Sequence, residues 1–301
     1  MSKLVASMVG LTMVTFFSPL VWAQDSPPPV EKVMMRALSP PAGTPPWEYE
    51  GEHGPKFWGK IDPVFSVCDK GRNQSPIDFA KTSPAELPKL RADFSPAKLQ
   101  IVHHEHIADE INDGHTIQIN YTEGDTLTIG ETPYELIQFH FHAPSEHTVR
   151  GKHYPMEVHF VHKSPSGALA VVGVFIEQGA HNKAFDPIWA NLPKQKGVES
   201  HFEHVSVDVD SLLPRSHQSY RYDGSLTTPP CSEVVKWIVM KSPIQLSKEQ
   251  IKTFTSIIKG NNRPVQPLYH RIAVTDAVAE QIVTPGTEQV VTPSAEQVVT
   301  R

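Results

Sequence analysis

Residues 138–146 read QFHFHAPSE, and the rest of the chain is organised around this stretch. Side chains two positions apart on a β-strand point to the same face of the sheet. His140 and His142 therefore share one face with Gln138, whereas Phe139 and Phe141 point to the other face. The pattern predicts a strand that presents two imidazoles side by side.

A second apolar run, MEVHFVH at residues 156–162, places Glu157, His159 and Val161 on one face by the same rule. If the two strands are neighbours, three imidazoles form a metal site with one open position. Catalytic zinc uses that arrangement, whereas structural zinc takes four protein ligands. The competing interpretation is that each histidine, among 16 in the chain, is a polar strand residue bonded to a neighbour. Spacing alone leaves zinc, iron and manganese open.

A different metal enzyme also fits part of this pattern. His140, His142 and Glu146 have the spacing H-x-H-x-x-x-E, which resembles the first signature of cupin-type metal oxidoreductases. In such a site Glu146 would bind the metal directly. The second half of the cupin pattern is not visible further along the sequence, which disfavours this alternative.

Length and charge narrow the functional classes. The 301 residues are enough for one large domain or two small ones, and the formal net charge is −6. The sequence contains no long basic run, so nucleic-acid binding has no electrostatic support.

The amino terminus has the pattern of a secretory signal peptide. Residues 1–23 combine Lys3, an apolar stretch that reaches Leu20, and the small residue Ala23 at a suitable cleavage position. The alternative is an uncleaved membrane anchor, but the apolar stretch is short and lacks a basic flank. We therefore expect a periplasmic or secreted protein with no membrane span after cleavage.

The two cysteines, Cys68 and Cys231, are consistent with export. An isolated pair in an oxidising compartment most simply forms one disulfide. Two free thiols or two metal ligands are the alternatives, and the lack of C-x-x-C spacing disfavours a zinc site.

Low-complexity segments flank the central domain. Residues 24–46 contain PPP and SPPAGTPP and have the composition of an extended linker. Residues 276–301 contain EQIVT once and EQVVT twice, at regular spacing, and three such short copies cannot build a core. We expect a repetitive flexible or extended tail there, which leaves residues 47–275 as the catalytic domain.

The central region predicts a mainly β (α+β) domain, with a large, mostly antiparallel twisted sheet and short peripheral helices. Residues 169–176 are apolar on both faces, which predicts a central buried strand. Ser247 and Gln250 have the spacing of a helix N-terminus and Gly260 that of a C-terminal cap, so residues 248–259 predict a helix, with a second at 185–192. Strands are predicted at residues 118–121, 126–129, 136–141, 156–162, 169–176, 205–209 and 234–240.

Eight motifs in this order and spacing resemble the α-class carbonic anhydrases of the exported bacterial type. Each motif alone is modest, but eight of them in the family's order and with fitting spacing, spread along the central domain, make the resemblance highly specific. The motifs are WEYEGEHGPKFW at residues 47–58, NQSPI at 73–77, NDGHTIQ at 112–118, QFHFH at 138–142, SEHTV at 145–149, EVHFVH at 157–162, YDGSLTTPPC at 222–231 and NNRPVQP at 261–267.

The resemblance implies a zinc enzyme that hydrates carbon dioxide reversibly to bicarbonate and a proton, through attack by zinc-bound hydroxide. It implies that Gln138 and Glu157 orient two ligand rings through their side chains and that the Asn261 main-chain carbonyl orients the third. The implied zinc ligands are His140, His142 and His159.

Two further roles follow from the resemblance. Thr227 would accept the proton of the zinc-bound hydroxide, and Glu146 would accept the proton of Thr227. A pocket for apolar carbon dioxide would surround the open zinc position, with Thr228 at the exit. The implied pocket residues are Val161, Val171, Leu226, Thr228, Val235 and Trp237.

The resemblance also implies a route for the proton released in each cycle. His115 matches the family's proton shuttle, and an imidazole suits proton exchange near neutral pH. Tyr49, Asn112 and Gln118 would line the polar wall of the route. Asp113 departs from the family pattern, where many members carry Asn, and an acid there would alter the rate of proton transfer.

The remaining histidines receive other interpretations. His103, His104 and His106 are predicted to be surface residues outside the site, and His147 is implied to be structural. His162 shares a strand with His159 but faces the opposite way.

The non-enzyme alternative is a carbonic-anhydrase-related binding module, a class that keeps the fold but loses zinc ligands. All three implied ligands are present here, together with Thr227 and Glu146, which disfavours that alternative. The implied small-molecule partners are carbon dioxide and bicarbonate. The sequence leaves the oligomeric state open, with a homodimer as one possible assembly.

Overall fold

The computed structural model describes residues 46–85, 90–93, 97–104, 115–120, 125–195 and 199–276. The predicted signal peptide at residues 1–23 lies outside the described residues, as do residues 24–45 of the predicted linker and 277–301 of the predicted tail. The boundaries proposed for these segments remain predictions. In the described part of the chain, no helix is long and apolar enough to cross a bilayer.

Short extended segments account for most of the regular structure, as their alternating and β-branched residues predict. The strands are β1 Ser83–Ala85, β2 Leu90–Asp93, β3 Ala97–His104, β4 Thr116–Asn120, β5 Thr126–Ile129, β6 Thr132–His142, β7 Met156–Lys163, β8 Leu169–Gln178, β9 Glu199–Val207, β10 Ser219–Gly224, β11 Val235–Leu246 and β12 Val274–Asp276.

Across the described ranges these strands form one sheet, in the order β1-β12-β10-β11-β8-β7-β6-β4-β3-β9, and β5 pairs with β6 and β2. The pairs β1–β12 and β8–β11 are parallel, whereas the other neighbouring pairs are antiparallel. The predicted mainly β fold with a large, mostly antiparallel sheet is therefore confirmed. The site strands β6 and β7 lie next to β8, near the middle of the sheet.

The position of β8 explains its composition. β7 pairs with one edge of β8 and β11 with the other, so its backbone groups are bonded on both sides. Every side chain from Leu169 to Ile176 is buried, which confirms the predicted central strand.

The two faces of β6 and β7 contribute to different parts of the molecule. Phe139, Phe141, Val158 and Phe160 belong to the larger hydrophobic core, which also contains the buried face of the longest helix. The opposite face carries the histidines beside a smaller apolar cluster that includes Trp237. The alternation of aromatic and polar residues thus places the chemistry on one face and the main core on the other.

The helices are short and peripheral, as predicted. In the longest one, Ser247 Oγ accepts the N–H of Gln250, and the Gln250 side chain accepts the N–H of Ser247. This reciprocal pair confirms the predicted N-terminus. The α-helices are α1 Trp58–Ile61, α2 Val67–Lys70, α3 Asp186–Trp189 and α4 Lys248–Ile257, and the 3₁₀ helices are Gly51–His53, Pro63–Phe65, Lys183–Phe185 and Asp210–Leu212.

Several predicted boundaries differ from those in the structure. α4 ends at Ile257, two residues before its predicted end, and the predicted helix at 185–192 is only Asp186–Trp189. β9 begins at Glu199, six residues before its predicted start, and β11 continues to Leu246.

The strands β1, β2, β3, β10 and β12 were not predicted. β1 and β12 are three residues long and exist because they pair with each other, which local sequence does not encode.

The predicted disulfide between Cys68 and Cys231 is present and closes a loop with a sequence separation of 163. Closing a loop of that size restricts the unfolded chain, which in the chain-entropy model stabilises the fold by about 5 kcal/mol.

We expect reduction of the disulfide to decrease the free energy of unfolding by about 5 kcal/mol and therefore to lower the urea midpoint of unfolding. A Cys68→Ser, Cys231→Ser double variant is the control, because its midpoint should not respond to reductant. Equal midpoints for the oxidised and reduced natural chain would contradict this account.

His162 gives the fold a separate sensitivity to acid. Its side chain is fully buried on the core face of β7, and this burial lowers its pKa to about 4 against the raising influence of nearby backbone groups of Phe160 and Ala170. In the unfolded chain the pKa is about 6.5, so between pH 6.5 and 4 the unfolded state binds more protons. The stability that neutral His162 contributes is complete above about pH 6.5 and falls as the pH decreases, by about 3 kcal/mol at most.

A His162→Leu variant should therefore lose less stability than the natural chain between pH 6.5 and pH 4. Urea unfolding at several pH values measures this difference. His217→Ala is a suitable control because His217 is exposed. Parallel stability curves for the natural chain and His162→Leu would show that another group causes the acid sensitivity.

Candidate active site

The register between β6 and β7 brings three histidines together. His140 is opposite His159, Gln138 is opposite Val161, and His142 is opposite Glu157. The ring centroids lie 5.1 Å apart for His140 and His142, 5.3 Å for His140 and His159, and 4.6 Å for His142 and His159. One ring nitrogen from each histidine lies within 4.8 Å of the others, so a single metal ion could contact all three.

The other ring nitrogens are held by neighbouring groups. His140 Nδ1 lies 2.7 Å from Gln138 Oε1, and His142 Nδ1 donates to the main-chain carbonyl of Asn261 at 2.7 Å. His159 Nε2 lies 3.0 Å from Glu157 Oε1. One nitrogen of each ring therefore lies against a polar partner, through a hydrogen bond at His140 and His142 and through a close charge contact without hydrogen-bond geometry at His159.

The residues present fit a zinc ion. His142 Nε2 is buried and has no hydrogen-bond partner among the described residues, although buried polar atoms normally have one. Burial lowers the pKa of His142 to about 4, against the raising influence of the Asn261 carbonyl, and burial also lowers the pKa of His159. Neutral imidazoles are the form that binds metal, and three of them leave the open position of catalytic zinc.

Asn261 does more than its predicted carbonyl contact. Its side-chain oxygen accepts the N–H of Ala143 at 2.8 Å, and its side-chain nitrogen donates to the carbonyls of His115 and Phe141 at 2.9 and 2.8 Å. One buried amide thus joins the end of β6 to the start of β4. The sequence motif indicated the residue but not this side-chain role.

Glu157 is a fully buried carboxylate that accepts hydrogen bonds from several N–H groups. Oε2 accepts the main-chain N–H groups of Glu146 and His147, both at 2.9 Å, and Oε1 accepts His147 Nδ1–H at 2.8 Å. Burial alone would raise the pKa of Glu157, but His147 and His159 outweigh it and hold the pKa well below the usual range. A Cβ atom at Gly173 would lie 2.9 Å from Glu157 Oε1, so glycine there leaves room for the carboxylate.

Glu146 is buried beside the histidines but outside the group of three ligand atoms. Oε1 accepts the main-chain N–H of Arg263 at 2.8 Å and lies 3.6 Å from His142 Nδ1, the nitrogen that bonds Asn261. Burial raises the pKa of Glu146 to about 7, while His159, the Arg263 N–H and the Thr227 hydroxyl act to lower it. This position behind His142 does not suit the direct metal contact that a cupin-type site would require.

A cleft of about 400 Å³ opens above the three histidines. Val161, Val171, Leu226 and Trp237 form its apolar wall. The predicted residue Val235 instead packs in the apolar cluster with them and is 2% exposed. The other predicted residues on the cleft wall are Tyr49, His115, Gln118, Gln138, Thr227 and Thr228.

Three residues of the cleft wall were not predicted. Ile137 lies at a register shift between Leu136 and Gln138, which interrupts the alternation of faces in β6. Thr116 and Asn120 lie on β4, two residues either side of Gln118, and the same rule that groups His140 with His142 could have identified them.

His115 is buried in the wall of the cleft. Its ring stacks on Trp47 with centroids 3.7 Å apart, and Nε2 lies 2.8 Å from the Trp47 carbonyl. Tyr49 meets the same ring edge-on at 5.9 Å, and burial together with Glu146 raises the pKa of Tyr49 well above its usual value. The aromatic residues near the start of the domain thus form the cleft wall around His115.

Some predicted residues lie where the structure gives no description. Asn112, Asp113 and His106 are outside the described residues, and the side chains of His103 and His104 on β3 are not described. The roles predicted for them remain predictions.

Comparison with known proteins identifies the family. A family model for eukaryotic-type carbonic anhydrases matches residues 53–277. The carbonic anhydrase of Klebsiella pneumoniae is 44% identical over 231 residues, which cover 76% of this chain and 90% of that protein. The carbonic anhydrase of Nostoc sp. is 41% identical over 238 residues, covering 77% and 87% respectively.

Solved structures agree with these sequence matches. The α-carbonic anhydrase of Thermovibrio ammonificans, determined in complex with the inhibitor sulfanilamide, superposes with a TM-score of 0.70 at 40% identity. The match covers 76% of this chain and 98% of that one. This chain therefore belongs to the α-class, or eukaryotic-type, carbonic anhydrases, the enzymes that interconvert carbon dioxide and bicarbonate.

Proposed function

We propose that this chain is a zinc metalloenzyme that hydrates carbon dioxide reversibly to bicarbonate and a proton, with His140, His142 and His159 as the metal ligands. The observation that carries the proposal is the group of three imidazoles, within which the buried His142 Nε2 has no hydrogen-bond partner in the part of the chain that the structure describes. Zinc held by three histidines lowers the pKa of a water molecule to about 7, from about 15.7 in bulk, a magnitude for which carbonic anhydrase is itself the standard example.

The residues behind the ligands set the direction of each ring. The Gln138 amide oxygen and the Asn261 carbonyl each accept a hydrogen bond from one histidine, and the Glu157 carboxylate lies close enough to His159 Nε2 to do the same. A ring whose N–H is fixed by such a partner presents the lone pair of its other nitrogen to the metal. The three partners therefore select the tautomers that bind zinc.

Thr227 and Glu146 position the nucleophile. Arg263 donates to Glu146 Oε1, which leaves Oε2 to accept the proton of the Thr227 hydroxyl. A nearby dication favours the ionised form of Glu146, which can only accept. The Thr227 hydroxyl donates its hydrogen bond to Glu146, so its oxygen can only accept a hydrogen bond from the nucleophile. This contact orients the nucleophile so that one of its lone pairs points towards the carbon of the substrate.

The apolar wall and Thr228 serve the substrate. Carbon dioxide has no net charge or dipole, so it is favoured next to Val161, Val171, Leu226 and Trp237 rather than in water. Thr228 lies on the same wall and can donate to bicarbonate as it forms, since its hydroxyl carries a proton.

His115 transfers the released proton towards solvent. Its ring lies on the cleft wall with Tyr49 and Gln118, and an imidazole exchanges protons near neutral pH. Stacking on Trp47 holds the ring in one orientation. We propose a route through ordered water along this polar side of the cleft.

We also propose that the protein is exported and acts in the periplasm or outside the cell. The disulfide supports this, because such bonds persist in oxidising compartments. Amino-terminal sequencing of the mature protein should begin at Gln24, which would also establish the first domain boundary. A mature chain that still carried residues 1–23 would contradict the cleavage prediction.

Metal analysis tests the proposed function. We expect the mature protein, purified without added metal, to contain about one zinc per chain. Removal of zinc by a chelator should abolish carbon dioxide hydration, and addition of zinc alone should restore it. Native iron or manganese bound through Glu146 would instead support the cupin-type alternative.

A further inference from the structure

A buried chain of hydrogen bonds extends from the back of His159 into the protein. Glu157 Oε1 lies 2.8 Å from His147 Nδ1, His147 Nε2 lies 2.6 Å from the Tyr222 hydroxyl, and that hydroxyl lies 2.9 Å from Ser75 Oγ. The exposed fractions of these four side chains are 0%, 0%, 6% and 0%. The roles proposed above for the active site use only Glu157 from this chain of residues.

The His147 ring is held at both of its nitrogens. Ionised Glu157 can only accept, so His147 Nδ1 carries a proton and donates it to Glu157 Oε1. The other nitrogen, Nε2, lies 2.6 Å from the Tyr222 hydroxyl, which itself donates to Ser75 Oγ at 2.9 Å.

The surroundings leave His147 and His159 little freedom to turn. Each ring packs against Trp237 with centroids 4.8 Å apart. The Trp237 indole N–H donates to the Ser225 carbonyl at 2.9 Å, and the Ser225 N–H donates to Ser75 Oγ at 3.0 Å. Ser225 therefore bonds both Trp237, which packs against the two rings, and Ser75, at the far end of the hydrogen-bond chain.

We propose that Tyr222 is a positioning residue for the metal site. Its hydroxyl holds the His147 ring at Nε2, and that ring in turn holds Glu157 Oε1 beside His159 Nε2, so that the other nitrogen of His159 stays directed towards the metal position. This inference rests on the proposed role of His159 as a ligand. It adds to that role a determinant of metal retention that is separated from the metal by three residues, His147, Glu157 and His159.

A Tyr222→Phe variant removes the hydroxyl and keeps the ring, which stacks parallel to Trp237 at 6.2 Å. His147 then loses the partner that holds its ring at Nε2, and the orientation of Glu157 is less restricted. Partners of metal-binding histidines typically affect metal affinity 10–100-fold, so we expect zinc to bind about tenfold more weakly. Competition with a chromogenic chelator measures the zinc dissociation constant directly.

Tyr220→Phe is the matched control. Tyr220 lies two residues away on β10 and stacks on Phe79 with centroids 4.4 Å apart, and it is partly exposed. It takes no part in the chain of hydrogen bonds to Glu157. We expect Tyr220→Phe to bind zinc as the natural chain does.

Nitrogen-15 NMR of the imidazoles in the metal-free protein gives a readout that a purely structural role for Tyr222 would not change. The ring resonances of His147 and His159 should both shift in Tyr222→Phe and stay in place in Tyr220→Phe. Unchanged zinc affinity in Tyr222→Phe, or an unchanged His159 resonance, would overturn the inference. A natural chain that binds no zinc would refute the proposed function instead, while the NMR spectra would still show whether Tyr222 orients the two rings.

Discussion

His142→Ala should lose zinc and nearly all carbon dioxide hydration. The substitution removes the central ligand nitrogen and leaves the Asn261 carbonyl without its donor in a buried position. Lewis-acid assistance from a metal is worth several kcal/mol of transition-state stabilisation, so its loss should lower kcat/KM roughly 1,000-fold or more. Stopped-flow hydration assays and metal content, measured on the same preparation, give the result.

A control for this variant separates loss of the ligand from loss of any histidine. His217→Ala changes an exposed histidine far along the sequence from the metal strands, and it should keep full zinc content and activity. Circular dichroism tests whether His142→Ala remains folded. A folded His142→Ala protein with normal activity would exclude the proposed ligand set.

Thr227→Val should lower the rate without removing zinc. Valine has nearly the same shape as threonine but cannot accept from the nucleophile or donate to Glu146. Loss of one oriented hydrogen-bonding group in an active site typically costs on the order of 100-fold in kcat, and we expect a loss of that size here. The zinc content should remain that of the natural chain, because Thr227 is not among the grouped ligand residues.

Thr228→Val is the matched control for Thr227→Val. It makes the same change on the next residue, and Thr228 also lies on the cleft wall. Thr227, unlike Thr228, acts on the Glu146 carboxyl, so the loss in kcat should be much larger for Thr227→Val. Equal losses from the two variants would indicate that Thr227 contributes only through the shape of the pocket.

The parts of the site that follow from strand periodicity were predictable from the sequence. The two-residue repeat placed Gln138, His140 and His142 on one face and Glu157 with His159 on another, and the register of β6 and β7 joins those faces. The prediction needed only that the two strands be neighbours. The buried strand β8 was predictable for the same reason, because its composition reflects burial on both faces.

Contacts between distant segments were not predictable from local patterns. Trp47 stacks on His115 from 68 positions away, and nothing in either local stretch specifies that contact. Arg263 is similar: its guanidinium donates to the carbonyls of Ser75 and Cys68, while its main-chain N–H holds Glu146. Such contacts depend on the folded arrangement of loops, which the family motifs indicate only as residue identities.

The predicted strand boundaries were wrong where pairing between strands, rather than local composition, determines where a strand begins or ends. β1 and β12 have three residues each and no distinctive alternation, yet they form a parallel pair at the edge of the sheet. β11 continues beyond its predicted end through a register shift between Met240 and Ile244, where the alternation is interrupted. In both cases the strand is formed by hydrogen bonds to a partner strand, and the local sequence does not predict that pairing.

Stopped-flow carbon dioxide hydration by the mature, zinc-loaded protein tests the central claim most directly. We expect a kcat/KM on the order of 10⁷ M⁻¹s⁻¹, near the upper end of the range for enzymes, and proportional to the zinc content of the preparation. A folded preparation with one zinc at His140, His142 and His159 but no hydration above the uncatalysed rate would contradict the account.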